Sequence, residues 1–130
     1  MKKSYYLTLG SFVVFILLVY LSQFRLILVS GHSMEPTLHN NTLILLRKNK
    51  DFKKDSIVSF VAPDSWVQQE DKSLIKRIIA EPNDRLKIDS NFVYVNNKEK
   101  VRIKGKVNIE QELDITLKED EYFVMGDNVG

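Results

Sequence analysis

Two residues in this chain have the types and the settings to do covalent chemistry together. Ser33 lies in the run Ser30-Gly31-His32-Ser33-Met34-Glu35-Pro36-Thr37-Leu38, and Lys76 lies in Leu74-Ile75-Lys76-Arg77-Ile78-Ile79-Ala80. A serine hydroxyl is a poor nucleophile until a base removes its proton. A lysine can be that base if its pKa falls from ~10.4 toward neutral, which burial among apolar groups achieves. In a strand Leu74, Lys76 and Ile78 share one face and Ile75, Arg77 and Ile79 the other, so Lys76 emerges among aliphatics. Gly31 permits a tight bend before Ser33, and Pro36 restricts Glu35 to extended angles. Such a segment can expose Oγ and turn the Ser33 N–H toward a developing oxyanion. Each residue alone has a plainer reading, Ser33 as a surface-turn serine and Lys76 as an edge-strand lysine reaching solvent.

Other chemistries fit less well. His32 adjoins Ser33, so in extended chain the two side chains point apart. His39 follows six residues later, beyond a proline and with no orienting acid evident, so both histidines read as exposed turn residues. The chain has no cysteine, which removes disulfides and thiolate metal sites, and no cofactor is implied. Lys2, Lys3 and Arg25 precede residue 30; the other sixteen basic residues share the remainder with all seventeen acidic ones. That near-neutral body offers no sustained basic face for nucleic acid. The short cluster Arg47, Lys48, Lys50, Lys53 and Lys54, broken by Asp51 and Asp55, reads as a solvated loop near a lipid surface.

The elements that must hold these residues divide at residue 29. From Ser4 to Phe24 no residue is charged, and with Leu26 to Val29 the stretch can cross a hydrocarbon core of ~30 Å. A cleaved leader would carry a shorter apolar core and a small-x-small site, and none stands out between Ser22 and Ser30. Residues 1–29 therefore read as a cytoplasmic tip and a single transmembrane helix, with Lys2 and Lys3 holding the N-terminus inside. Tyr5, Tyr6 and Tyr20 suit the interface. Arg25 snorkels outward, leaving Leu26 to Val29 as a first strand or a dip into the interface. Residues 30–130 read as one extracytoplasmic β-domain, with strand-like runs at 42–46, 56–62, 74–80, 85–88, 92–95, 101–103 and 122–125. Asp89-Ser90-Asn91 and Asn96-Asn97 are turn signals. Residues 108–114 could form one helical turn, and 48–54 and 63–72 read as loops.

In order along the chain, these features resemble the type I signal peptidases of bacteria. Gly31 to Leu38 resembles the nucleophile box. Lys54-Asp55-Ser56-Ile57-Val58-Ser59-Phe60 is similar to the family's Gly-Asp-x-Val-x-Phe strand. Lys76 to Asp84 is similar to its Lys-Arg-x-x-x-x-Pro-Gly-Asp box, with Asn83 in place of glycine. Gly126-Asp127-Asn128 resembles the opening of the last box. The resemblance implies Ser33 as nucleophile, Lys76 as general base, and Gly31 and Ser33 as backbone support for the oxyanion. Met34, Pro36, Arg77 and Asp127 are implied as motif support, with Arg77 pairing Asp127 on the face opposite Lys76. The family continues Gly-Asp-Asn with arginine and a Ser-x-Asp-Ser-Arg segment; here Val129 and Gly130 follow, so the β-domain is read as C-terminally incomplete, a fragment or a natural truncation.

The expected fold is mainly β, a single transmembrane helix followed by a small antiparallel domain of the signal-peptidase and repressor-autoprotease type. The expected function is a membrane-bound serine endopeptidase that removes N-terminal signal peptides from exported preproteins. Its partners would be those signal peptides and membrane lipid, with no nucleic acid. One alternative is a non-catalytic or weakly active homologue assisting assembly of a surface protein or pilus. Another is a soluble Ser–Lys autoprotease of the repressor-cleaving kind, against which the apolar N-terminus speaks.

Overall fold

The computed structural model of the chain describes residues 2–63, 65–66, 73–104 and 112–129. The first element, α1, is a helix over Lys2–Leu21. Residues Lys3–Leu21 are long and apolar enough to cross a membrane, since ~20 residues at ~1.5 Å each span ~30 Å. Its side chains are exposed all round, an arrangement that suits lipid rather than water. The hydroxyls of Thr8 and Ser11, and that of Ser22 just past the helix end, turn back to the backbone. Thr8 Oγ1 donates to the carbonyls of Ser4 and Tyr5, Ser11 Oγ to that of Thr8, and Ser22 Oγ to that of Val19. Bonds of this kind keep polar groups satisfied where no water is present.

The chain forms two compact units. The first joins Met1–Leu28 to Leu43–Lys50, and the second holds Val29–Thr42 and Asp51–Gly130. The first segment ends at Leu28, and residues 43–50 group with it rather than with the rest of the β-domain. In the first unit β1 (Phe24–Leu28) pairs antiparallel with β2 (Leu43–Arg47).

The second unit carries two antiparallel sheets. One has the order β3 (Ile57–Val61), β4 (Ser73–Ala80), β9 (Phe123–Met125). The other runs β7 (Lys98–Arg102), β6 (Phe92–Val95), β5 (Arg85–Asp89), β8 (Leu113–Thr116). Turn chemistry fixes the hairpins. Asn96 and Asn97 both take positive φ, 52° and 63°, the requirement of a two-residue turn whose twist matches its strands. Asn83 sits at φ 69° where the resembling motif has glycine; asparagine tolerates that region better than most residues. The core gathers Ile79, Ala80, Leu86, Val93, Val95 and Leu117, flanked by Ile88, Val101, Phe123 and Met125.

This mainly β architecture with one apolar helix is the expected one, with two differences. The helical turn expected over 108–114 falls outside the described residues up to 111, and Leu113 and Asp114 instead open β8. Leu113-Asp114-Ile115-Thr116 is a short β-type alternation, and pairing with β5 decides its state. Strand β7 extends back to Lys98, where the sequence is too polar to mark a strand; it is an edge, which favours charge. Most of the loop expected over 63–72 lies outside the described residues.

Candidate active site

Ser33 sits in a turn closed on itself. The Val29 N–H donates to the Thr42 carbonyl and the Asn41 N–H to that of Val29, each at 2.8 Å. Within the loop, the Leu38 N–H donates to the Met34 carbonyl at 2.9 Å. Met34 is buried to 2% exposure and anchors the turn, so its neighbour Ser33 is held outward and exposed. Gly31 adopts φ 93°, a region that side chains resist. Its N–H is committed to Asn40 Oδ1 at 2.9 Å, so Gly31 shapes the turn while its own donor is occupied. The Ser33 N–H, in contrast, has no partner among the described residues.

Lys76 lies on β4 opposite Val58 of β3. Its Nζ donates to Ser33 Oγ at 2.7 Å, across forty-three residues of sequence. Burial pushes the Lys76 ammonium below its ordinary pKa, since apolar surroundings disfavour the charged form. Beside it opens a cleft of about 480 Å³, with Phe60, Leu74, Val124 and Met125 in its lining. Lys76 and Lys104 are the charged residues on that lining.

Arg77 points to the other face and grips Asp127. Nε donates to Oδ1 at 2.8 Å and Nη2 to Oδ2 at 2.6 Å, while Nη1 reaches the Asp55 carbonyl at 2.7 Å. The Asp127 carboxyl is held below the usual range by these guanidinium bonds, with Thr37 adding a further donor. The pair expected from the sequence is therefore formed, and it ties β4 to the segment after β9.

That segment also holds the Ser33 turn directly. The Asn128 N–H donates to the Ser33 carbonyl at 3.0 Å, and Asn128 Nδ2 donates to the His32 carbonyl at 3.1 Å. A Cβ added at Gly126 would lie 2.3 Å from the Ser33 carbonyl oxygen. Only glycine fits there. Sequence reasoning noticed Gly126-Asp127-Asn128 but gave a role to Asp127 alone; the contact with residues 32–33 is a property of the folded chain. Asn40 was missed for the same reason.

The histidines stand apart from this chemistry. His32 Nδ1 lies 2.8 Å from Glu35 Oε1 and His39 Nδ1 3.8 Å from the same oxygen. An acid therefore does face both, which the sequence did not reveal, and it draws them to Glu35. The hydrogen bond from His32 holds the Glu35 carboxyl below its ordinary range. Among the described residues no cluster of His, Asp and Glu is arranged to hold a metal ion.

Comparison with known proteins identifies the family. The family model described as signal peptidase, peptidase S26, matches residues 2–130. The chain belongs to that family. Signal peptidase I of Bacillus amyloliquefaciens is 31% identical over 115 residues, 77% of this chain and 58% of that protein. The Bacillus licheniformis signal peptidase I is 30% identical over 131 aligned positions, covering 89% of this chain and 68% of its own length. Signal peptidase I T of Bacillus subtilis is 30% identical over 147 positions, 98% of this chain and 73% of that protein. The chain spans about three-fifths of the first of these relatives.

Proposed function

We propose that this chain carries the active site of a membrane-bound serine endopeptidase that cuts signal peptides from exported preproteins. The observation that carries the reading is the Lys76 Nζ to Ser33 Oγ contact of 2.7 Å beside an apolar cleft. In the ammonium form the amine donates to Ser33 Oγ; once neutral, it accepts the hydroxyl proton. Oγ then attacks the carbonyl carbon of the scissile peptide. The Ser33 N–H, which has no partner among the described residues, is available to the oxyanion, the kind of fixed donor that stabilises developing charge. Lys76 returns the proton to the departing amine, and water hydrolyses the ester left on Ser33. The alanine-like residues one and three before the cut suit shallow apolar pockets, the extended leader lying beside the strands. Helix α1 would cross the cytoplasmic membrane with Lys2 and Lys3 inside and the β-domain outside.

The test is processing of a leader-bearing preprotein in detergent. Ser33→Ala and Lys76→Ala should each abolish cleavage, and an acylating penem should label the intact chain on Ser33 and leave Ser33→Ala unlabelled. Undiminished cleavage by either variant refutes the dyad.

A further inference from the structure

The Ser33 N–H is one end of a peptide unit whose other end is gripped from far along the chain. It shares a rigid plane with the His32 carbonyl, and across this trans peptide the two point in opposite directions. Whatever fixes the His32 oxygen therefore aims the Ser33 N–H. Two donors reach that oxygen. The Glu35 N–H, at 3.2 Å, belongs to the turn itself. Asn128 Nδ2, at 3.1 Å, comes from ninety-six residues further along the chain. A carbonyl can only accept, so the nitrogen of the Asn128 amide is the atom turned toward it. The next carbonyl, that of Ser33, accepts the Asn128 N–H at 3.0 Å.

One residue thus holds the carbonyls before and after the Ser33 Cα, and the two bonds have different roles. The backbone bond remains with almost any side chain at 128 and places the turn. The side-chain bond sets the rotation of the 32–33 peptide plane. The Glu35 bond cannot set it alone, because it lies at the long end of the N–H···O range and moves with the turn it closes. A bond at the carbonyl also polarises the amide and strengthens its N–H as a donor. The Gly31 N–H cannot take over, being committed to Asn40 Oδ1.

We propose that Asn128 is the positioning residue of the oxyanion donor: through the His32 carbonyl, its amide orients the Ser33 N–H toward the oxygen of the tetrahedral intermediate. Asn128 itself touches no reacting atom. This rests on the endopeptidase reading of the Ser33–Lys76 pair.

The test compares the full chain with two variants. Asn128→Leu keeps the shape of the side chain and the backbone N–H but has no side-chain donor; Asn128→Gln keeps an amide on a longer stem. Deleting an oxyanion donor outright costs ~10²–10³ in kcat, so a donor present but loosely aimed should cost less, about thirtyfold in Asn128→Leu. KM should stay unchanged, and Asn128→Gln should recover part of the loss. A leader-peptide boronate forms a tetrahedral adduct on Ser33 Oγ with an oxygen where the oxyanion develops. It should bind Asn128→Leu about thirtyfold more weakly, while an uncleavable leader peptide binds as it does to wild type. The pH at which kcat reaches half its maximum should not move, because the Lys76–Ser33 contact is untouched. Asn128→Ala gives the same readouts should Asn128→Leu fail to fold. Wild-type kcat and boronate affinity in a folded variant overturn the inference. So does a parallel loss of leader-peptide binding, which would make Asn128 a substrate contact on the cleft it lines, and so does a shifted pH midpoint, which would place its effect in the dyad. A wild-type chain that neither cleaves a preprotein nor is acylated on Ser33 overturns the endopeptidase reading, and the inference with it.

Discussion

Gly126→Ala puts one methyl group where the structure has none to spare. The new Cβ would lie 2.3 Å from the Ser33 carbonyl oxygen, 3.2 Å from its carbon and 3.3 Å from the Ser33 Cβ. Carbon and oxygen approach no closer than ~3.3 Å even in favourable weak contacts, so something must move by about 1 Å. Every atom facing that clash belongs to Ser33, its backbone or its Cβ. If the Ser33 carbonyl retreats, it strains the bond from the Asn128 N–H, now 3.0 Å, and swings Oγ away from Lys76 Nζ. If residue 126 retreats, it drags Asp127 from Arg77. A misplacement of ~1 Å at a reacting group costs roughly a hundredfold in rate, and inserting a methyl into a tight site costs ~1–3 kcal/mol of stability. Steady-state cleavage of a leader-bearing substrate should therefore show kcat down about a hundredfold with KM changed little, while thermal unfolding stays cooperative. Penem acylation of Ser33 should slow in parallel. Wild-type-like kcat in a folded Gly126→Ala would show that the segment after β9 does not set the nucleophile, and would sink this account of the site.

Three further outcomes follow from the same contacts. Because burial lowers the Lys76 pKa and the neutral amine is the base, activity should rise with pH along a limb whose midpoint lies below the ordinary lysine value; a limb that first appears at an unperturbed pKa of ~10.4 refutes the buried-base reading. The Arg77–Asp127 pair should show coupling: Arg77→Asp and Asp127→Arg each lose ~1–3 kcal/mol, typical of a charge-assisted bond, and the double swap recovers part of it in thermal unfolding, whereas additive losses deny the coupling. The Asp127 carboxyl titrates below its ordinary value, so the stabilisation it gives is complete above the unfolded pKa and disappears as pH falls through the folded one; Asp127→Asn should flatten the acid limb of stability.

The legible parts of the site were those encoded locally or by residue type. A serine between a glycine and a proline reads as a bent, open turn. A lysine in an aliphatic strand reads as a desolvated amine, because alternation alone puts Leu74 and Ile78 on its face. The sheet outline was legible for the same reason, since period-two runs and asparagine turns declare themselves within five residues. What stayed hidden depends on distant partners. Strand β8 is four residues whose state is decided by pairing with β5, and β7 is an edge whose lysines mask it. The Asn40 and Asn128 bonds join segments whose approach only the fold defines, and no spacing rule points to them.

Asp84 brings both kinds of information together at one residue and makes the last prediction. Its position after Asn83 marks a turn, yet nothing local says that a carboxylate there is buried. In the structure it is 7% exposed. Oδ2 accepts the Glu81 N–H at 2.9 Å and Lys54 Nζ at 2.7 Å, and Oδ1 accepts Asn96 Nδ2 at 2.6 Å. Burial raises its pKa, but those donors outweigh it and the net shift is downward. One carboxylate thus fastens the β4–β5 turn, the β6–β7 turn and the approach to β3. Asp84→Ala would remove the partner of three donors, two of them half-buried and Asn96 exposed, at a cost of ~1–2 kcal/mol, or roughly 5–10 °C in a domain this size. The carboxylate lies at the end of β4 remote from Lys76, so kcat well below the melting point should stay near wild type. A variant that melts normally would show that the sheets are held by their apolar core alone, and a variant that loses kcat without losing stability would place Asp84 in the chemistry instead.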